Sequence, residues 1–473
     1  MKILYPFFLF LLGAAGSLGF APYYFWWATV LSIAVAYYLL KDRGYKYSFW
    51  WGAGYALATF YWAFTPMFRI PELWDSTIGG LLILALLGGI FFGGPFAWTT
   101  YTKATGWRRT LYFALAGAFV MWLREAVLPT GLMWNPLANI TLPFPWLANG
   151  MSFVGAIGLT FILVGCIVSI PEYILSRKRG RPWQFLFFVP LILFGFAHIY
   201  NDEGMPYGKT IRIVQPALSV EEKQYQSEDK RKLQLIELSL TDMVALPDLL
   251  IWPETSYPHE ANMLTRFLVL GTRLAAGANY REGGQIRNSL LYVNRMGYMT
   301  DMYHKVFLVP LRERVGAASE IITSAPNYAP GAGPRVIDDF VPLICYDIAY
   351  AGLLIPQEID PRQPKFMLNI SNTAWYDESV FIYQHVDMGR RLAIETGLPV
   401  IIANNIGLSS IINNRGKVLQ SLPYKQAGYL DGAIPPHKIT LYRQIGLNRM
   451  MLWIILLSGF VLVIFKKKDI NGN

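Results

Sequence analysis

The chain has 473 residues, of which 54% are hydrophobic and 15% charged, whereas soluble domains carry about 25% charged residues. With 15 Trp, 28 Tyr, 29 Phe and a mean hydropathy of +0.33 it has the composition of a protein that meets lipid, which excludes disorder, collagen and coiled coil. Two Cys exclude a disulfide scaffold, and the net charge of +10 is too localised for a nucleic-acid-binding surface.

Basic residues gather beside apolar runs: Lys2; Lys41, Arg43 and Lys46; Lys103, Arg108 and Arg109; Arg177, Lys178, Arg179 and Arg181; Lys466, Lys467 and Lys468. Less Asp42 and Asp469, these fourteen hold +12 of the total of +10, so the remainder of the chain is −2. Apolar segments near 3–20, 22–40, 48–64, 79–99, 111–128, 151–175, 184–200 and 450–465 approach the ~20 residues needed to cross hydrocarbon. Alternation from a cytoplasmic Lys2 puts every basic cluster inside. The outer connections at 65–77 and 129–150 then carry one basic residue, Arg69. The pattern predicts a multi-pass helical membrane domain with about eight spans and both termini cytoplasmic. Ala14, Ala15 and Gly16 resemble a signal cleavage site, but further spans follow at once, which favours an uncleaved first helix.

The division predicted is a membrane domain at 1–200 with seven spans, an extracytoplasmic domain at 201–445, and a last span with a basic tail at 446–473. In the fifth span Arg124 and Glu125 lie near the outer end, where ionisable groups are costly. Arg124 is expected to pack against the outer domain or a lipid headgroup. Cys166, among Val164, Gly165 and Ile167, reads as packing. Apolar outer-loop residues Met67, Phe68, Ile70, Leu73 and Trp74 suit either acyl-chain guidance or an ordinary interfacial belt.

In the outer domain, 209–215 alternates like a strand and 221–245 has helical spacing. Strand-like runs follow at 249–252, 274–278, 289–294, 341–345, 366–370, 400–404 and 410–413. Strands interleaved with helices predict an α/β layered domain. There is no GxGxxG, Walker A or HExxH, and His198, His259, His304, His385 and His437 lack metal-ligand spacing, so no metal or nucleotide cofactor is expected.

Three polar residues stand at the ends of apolar runs: Glu254 closing LLIWPE, Lys305 before VFLVP, and Cys345 closing VPLIC. A free thiol of pKa about 8.5 is mostly protonated at neutral pH. A carboxylate nearby can take its proton, and an ammonium can stabilise the thiolate and then an oxyanion, which together make acyl-transfer machinery. Each residue also has a blander role, since a cysteine at a strand end is usually a small buried hydrophobe. Cys345 is the single thiol outside the predicted spans, so it has no partner for an intramolecular disulfide.

At these residues the sequence resembles the nitrilase superfamily, whose members place a Glu-Lys-Cys triad on an αββα sandwich. With spans on both sides of the domain it is similar to the apolipoprotein N-acyltransferase family of the bacterial inner membrane. The likeness extends through Gly16, Phe20-Ala21-Pro22, Trp122-Leu123-Arg124, Thr130-Gly131, Trp134-Asn135, Gly155 and Gly158-Leu159-Thr160. In the outer domain it includes KVFLVPLRE, LNISNTAWY, Gln384-His385, Arg390-Arg391, Glu395, Asn404-Asn405 with Gly407, and TLYRQIG.

The resemblance implies Glu254 as general base, Cys345 as nucleophile, Lys305 as oxyanion stabiliser with the N–H of Tyr346, and Glu313 as a supporting carboxylate. It implies Tyr346, Trp375 and Arg124 as substrate contacts and no cofactor. It further implies a ping-pong reaction. A phospholipid such as phosphatidylethanolamine acylates the thiol, and the α-amino group of a diacylglyceryl-cysteine on an apolipoprotein takes the acyl chain. The segment 314–333 reads as a lid or a plain surface loop. Departures from the family pattern are Asp347 for a Glu after Cys-Tyr, Arg312 for a Gly, Thr373 for an Asp, Met121 for a Glu, and no Arg after Leu398-Pro399.

Three rivals remain at this stage. A tethered amidase would share the triad. A Cys345 enzyme with His304 or His385 as base would not need Lys305. A transporter or scaffold would have an inactive outer domain; sparse intramembrane charge counts against transport, and retention of all three triad residues counts against an inactive domain.

Overall fold

Lipid contains no water to satisfy backbone N–H and C=O groups, so apolar runs of this length fold as helices. The computed structural model describes residues 4–41, 43–127, 134–175, 182–199, 204, 207–257, 271–309, 313, 327–350, 352, 364–376 and 378–470. Lys2, Asp42, Thr130-Gly131, the basic cluster at 177–181, His259, Arg312, positions 314–326 of the expected lid and Asp377 lie outside the described residues.

The chain divides into two compact units, Met1–Asn201 with Leu441–Asn473, and Asp202–Thr440. The first is helical: α1 (Leu4–Ala15), α2 (Trp26–Leu40), α3 (Tyr45–Phe60), α4 (Trp74–Tyr101), α5 (Trp107–Trp122), α6 (Met151–Leu175) and α7 (Phe188–Ile199). A C-terminal helix at Leu447–Ile470 belongs to the same unit. Among the described residues, Pro71–Tyr101, Met151–Leu175 and Leu447–Ile464 are long and apolar enough to cross a membrane. Leu4–Gly19, Trp26–Leu40 and Trp183–Ile199 are shorter apolar helices. Small residues let α1 and α3 cross closely: a Cβ on Gly13 would lie 2.0 Å from the Trp51 carbonyl oxygen, and one on Gly54 2.0 Å from that of Phe10. Within α6 the chain is not helical at Gly155, where φ is +65°.

Inside this unit Arg124 is buried. Its side chain is 3% exposed, donates from Nη2 to the Trp134 carbonyl at 2.7 Å, and lies over the rings of Phe60 and Phe92 at 5.3 and 5.2 Å. A buried guanidinium needs carbonyl and π partners, and residues distant in sequence supply them.

The second unit holds two sheets. The first has strand order β11-β1-β2-β3-β4-β5 and the second β10-β9-β8-β7-β6. The strands of the first are β1 (Thr210–Gln215), β2 (Leu249–Tyr257), β3 (Arg273–Glu282), β4 (Gln285–Val293), β5 (Met299–His304) and β11 (Gly428–Ala433). Those of the second are β6 (Phe340–Ile344), β7 (Phe366–Ser371), β8 (Val400–Asn404), β9 (Ser410–Ile412) and β10 (Val418–Ser421). Period-two alternation sorts the side chains. Ile211, Ile213, Leu249 and Ile251 meet Phe340, Ile344, Phe366, Leu368 and Ile401 between the sheets. Leu250, Trp252, Leu274 and Ala276 face the other way, packing on Leu235 of the amphipathic helix α9 (Glu228–Leu240), which follows the short α8 (Val220–Tyr225). Helix α10 (Phe381–Thr396) covers the second sheet, where its Gly389 approaches Ile402 and Ile412. The layers are therefore helix, sheet, sheet, helix.

Strands β5, β10 and β11 are not visible in the hydrophobic pattern. All three are sheet edges with mostly exposed or half-buried side chains, and so carry no continuous apolar run. Strand β2 also continues past Glu254 to Tyr257. Strands β1, β2 and β3 run parallel, as do β6, β7 and β8, so the carboxyl ends of each group open at one edge.

Candidate active site

Glu254, Lys305 and Cys345 stand at such strand ends. Pairing of β2 with β3 breaks between Trp252 and Tyr257, and Thr255 adopts φ +52°. Gly277 on β3 permits this bulge: a Cβ there would lie 2.5 Å from the Glu254 Cα and 2.6 Å from the Pro253 oxygen. Lys305 follows β5, and its N–H donates to the Asn288 carbonyl of β4 at 2.8 Å. Cys345 begins the 3-10 turn after β6 rather than closing the strand, and sits at φ +47°, a region non-glycine residues rarely adopt. Asn369 of β7 supports this conformation by donating from Nδ2 to the Cys345 carbonyl at 3.2 Å, and Ser371 donates to Asn369 Oδ1 at 2.6 Å.

All four carboxylate oxygens of Glu254 and Glu313 are engaged. Glu254 Oε1 accepts from Asn288 Nδ2 at 2.7 Å and lies 3.5 Å from Lys305 Nζ; its Oε2 accepts the Asn372 N–H at 2.8 Å. Glu313 Oε1 accepts from Lys305 Nζ at 2.8 Å and from Asn288 Nδ2 at 3.3 Å, while Oε2 accepts the Val309 N–H at 2.8 Å. Lys305 is 1% exposed. Burial alone would pull its ammonium down, but Glu313 and Glu254 together hold it well above the usual lysine range. It therefore stays charged, a source of positive potential and no base.

The Cys345 thiol is buried among these charges. Burial, then Glu254, push it up from the ordinary thiol value; Lys305 opposes them, Glu313 adds to the rise, and the Asn372 N–H opposes it. The resting group is a thiol, so attack requires a base, and the carboxylate that acts most strongly on the sulfur is Glu254. The charged side chains that act most on this sulfur are Glu254, Lys305 and Glu313. His385 is buried with Nε2 3.3 Å from Ser371 Oγ, and burial lowers it to about 4; His304 Nδ1 lies 2.8 Å from Ser289 Oγ.

Asp347 is fully buried. It accepts from the Tyr303 hydroxyl at 2.9 Å, the Phe307 N–H at 2.8 Å and the Ile344 N–H at 3.1 Å, tying the segment beyond Lys305 to the turn at Cys345. Burial raises its carboxyl to about 6 against the opposing pull of Lys305 and these donors. Tyr346 is half-buried, with its hydroxyl 3.2 Å from that of Tyr350, whose ring stacks on Phe307 at 4.0 Å. Trp375 is half-buried in the turn Thr373–Tyr376. Arg124 belongs to the helical unit. Among the described residues no three His, Cys, Asp or Glu group as metal ligands.

Asn288, which bridges the two carboxylates, and the Asn372 N–H were missed in the sequence. A buried Asn just ahead of the apolar run LLYV in β4 is the local signal of the former.

Known proteins resemble both units. Residues 12–169 match the apolipoprotein N-acyltransferase N-terminal domain, and residues 241–444 match the carbon-nitrogen hydrolase family. Apolipoprotein N-acyltransferase of Rhizobium rhizogenes (strain K84) is 26% identical across 96% of this chain and 94% of its own. That of Rickettsia prowazekii (strain Madrid E) is 24% identical across 96% and 98%, and that of Agrobacterium fabrum (strain C58) 26% across 89% and 88%. Relatives that run nearly end to end, with one domain match on the helical part and the other on the sandwich, place the chain in the apolipoprotein N-acyltransferase family.

Proposed function

We propose that this enzyme moves an acyl chain from a phospholipid to the α-amino group of the N-terminal diacylglyceryl-cysteine of apolipoproteins, through a thioester on Cys345. The observation that carries the reading is the buried Glu254–Lys305–Glu313 network acting on a protonated thiol. A simple carbon–nitrogen hydrolase would use the same residues; the match of residues 12–169 to the acyltransferase N-terminal domain supports transfer between lipid-anchored partners.

In the first half-reaction Glu254 takes the Sγ proton as the sulfur attacks the donor's ester carbonyl. Negative charge on the carbonyl oxygen is met by Lys305 Nζ and the Tyr346 N–H. Collapse breaks the ester C–O bond, and the departing alkoxide receives the proton from Glu254, leaving a lysophospholipid and the thioester. In the second half-reaction the neutral amine attacks the thioester carbonyl and gives a proton to Glu254. The C–S bond then breaks and the sulfur recovers that proton. Glu313 holds Lys305 in place throughout.

The helical unit is read as eight spans in the bacterial inner membrane. Both termini are cytoplasmic and the sandwich extracytoplasmic, in keeping with the basic clusters of the connecting segments. Both substrates are then anchored in lipid, since exposing an acyl chain to water costs about 0.8 kcal/mol per CH₂.

The test is intact mass of the detergent-solubilised protein after incubation with phosphatidylethanolamine, beside Cys345→Ala. An acyl mass added to the parent, removed by hydroxylamine, absent from the variant and passed to a diacylglyceryl-cysteine peptide is the expected result. Absence of both the adduct and lysophospholipid with every phospholipid tried would overturn the donor assignment.

A further inference from the structure

Between α9 and the ends of β2 and β3 lies a polar hollow of about 130 Å³, several times the ~10–15 Å³ that one water needs. Lys223, Arg231 and Lys232 line it from the helices, and Thr255 and Ser256, which follow Glu254 in the chain, line it from the sheet. One carboxylate, Glu228, is at its wall and lies 3.7 Å from Lys232, which is also 3.5 Å from Asp229.

The other two cations are differently placed. Lys223 is half-buried with Nζ 3.3 Å from Thr255 Oγ1, and among the described residues neither it nor Arg231 forms an ion pair. Burial lowers the Lys223 ammonium to about 8, against the pull of Glu254. Arg231 Nε and Ser256 Oγ are buried without a hydrogen-bond partner. Two cations outside any ion pair among the described residues, with the unpartnered Arg231 Nε and Ser256 Oγ, around one hollow are what an oxyanion with several acceptor oxygens would satisfy. The volume suits a tetrahedral phosphate and is far too small for an acyl chain.

We propose that this hollow binds the phosphodiester of the acyl donor, holding its headgroup while its ester carbonyl meets Cys345. The inference rests on the phospholipid-donor reading above and adds the part of the chain that recognises the donor. Consecutive Cα atoms are about 3.8 Å apart, so the Cα atoms of Thr255 and Ser256 lie within about 8 Å of that of Glu254, a span on the order of that between a phospholipid's phosphate and its ester carbonyl.

The experiment compares single-turnover acylation of the full chain in micelles by two donors, followed by intact mass. One donor is phosphatidylethanolamine; the other is a p-nitrophenyl ester of the same acyl chain, which has no phosphate. In Lys223→Gln and in Arg231→Gln the half-saturating phosphatidylethanolamine concentration should rise roughly tenfold, the size of one lost charge-assisted contact. Reaction with the nitrophenyl ester should change by less than about threefold, and Lys223→Arg should restore phospholipid use. Glycerophosphoethanolamine should compete with the phospholipid in the parent.

Equal losses with both donors, or an acid limb of the pH profile displaced for both, would mean that the cations act on Glu254, and would overturn the proposal. Competition by inorganic phosphate but not by the glycerophosphodiester would assign the hollow to a free ion and overturn it too. A parent acylated by phosphatidylethanolamine, with variants unaffected, sinks this proposal alone. A parent acylated by the nitrophenyl ester only sinks the donor reading and this proposal with it.

Discussion

The two sheets contribute unlike halves of the candidate site. The first supplies its charge: Glu254 from β2, Lys305 beyond β5, and Asn288 of β4 between the carboxylates, with Glu313 eight residues after Lys305. The second supplies the thiol and neutral groups: Cys345 after β6, Asn369 on β7 and the Asn372 N–H. Charge on the first sheet is so interlocked that no member can be removed without stranding another in a buried setting. On the second, a strained backbone and a few neutral hydrogen bonds hold the sulfur. The nucleophile's proton is thus controlled across the gap between the sheets, while its position is set within its own sheet.

Cutting each half separately sharpens that contrast. Cys345→Ala should reduce transfer by at least ~10⁴-fold, as loss of a nucleophile does, while the melting temperature moves little because no charge is stranded. Lys305→Met should reduce transfer by roughly 10³-fold and also destabilise the sandwich by about 3–5 kcal/mol, since Glu254 and Glu313 then face each other without a cation. Thermal melts of the two variants, with activity on a diacylglyceryl-cysteine peptide, separate these outcomes. Adding Glu313→Gln to Lys305→Met should raise the melting temperature again. If it does not, the interlocked-charge account of the first sheet is wrong.

The turn that follows β6 holds a buried carboxyl, Asp347, and it yields a smaller, pH-dependent effect. Its carboxyl is raised from 3.8 to about 6, chiefly by burial. Between those values the folded state holds a proton that the unfolded chain has released. This group's contribution is therefore most favourable below pH ~4 and falls as pH rises through about 6, by roughly 3 kcal/mol in all. Asp347→Asn should flatten that fall in a pH series of melts. It should also cost about 1 kcal/mol overall, because one amide cannot accept from Tyr303, Phe307 and Ile344 as two carboxylate oxygens do. A slope unchanged in the variant would exclude Asp347 as the titrating group.

The same division explains what could be read from the residues alone. Glu254 and Cys345 end apolar runs that form the fully buried parts of β2 and β6, and Lys305 precedes the apolar run VFLVP, so local pattern exposes all three. Asn288 acts through two carboxylates at positions 254 and 313, brought to it by pairing that no local window contains. The Asn372 N–H is a backbone group that almost any residue would provide. Edge strands β5, β10 and β11 lack the apolar alternation that betrays a buried strand. The Phe60, Phe92 and Trp134 partners of Arg124 are up to 64 residues away in the chain, so no local window shows them.

The smallest effect expected is at the other thiol. Cys166 is buried in α6, and its Sγ donates to the Phe187 carbonyl at 3.2 Å. Cys166→Ala removes one weak hydrogen bond and a small volume, so activity should stay within about threefold and stability within ~1 kcal/mol. The variant leaves Cys345 as the single thiol, and its reaction with iodoacetamide then reports on that sulfur alone. Because burial and Glu254 keep the proton on Cys345 while Lys305 opposes them, alkylation should be slow at neutral pH and accelerate as pH rises. Adding Lys305→Met should slow it further at every pH. Faster alkylation without the lysine would mean that its ammonium shields the sulfur rather than favouring the thiolate, and the division of labour between the sheets would have to be redrawn.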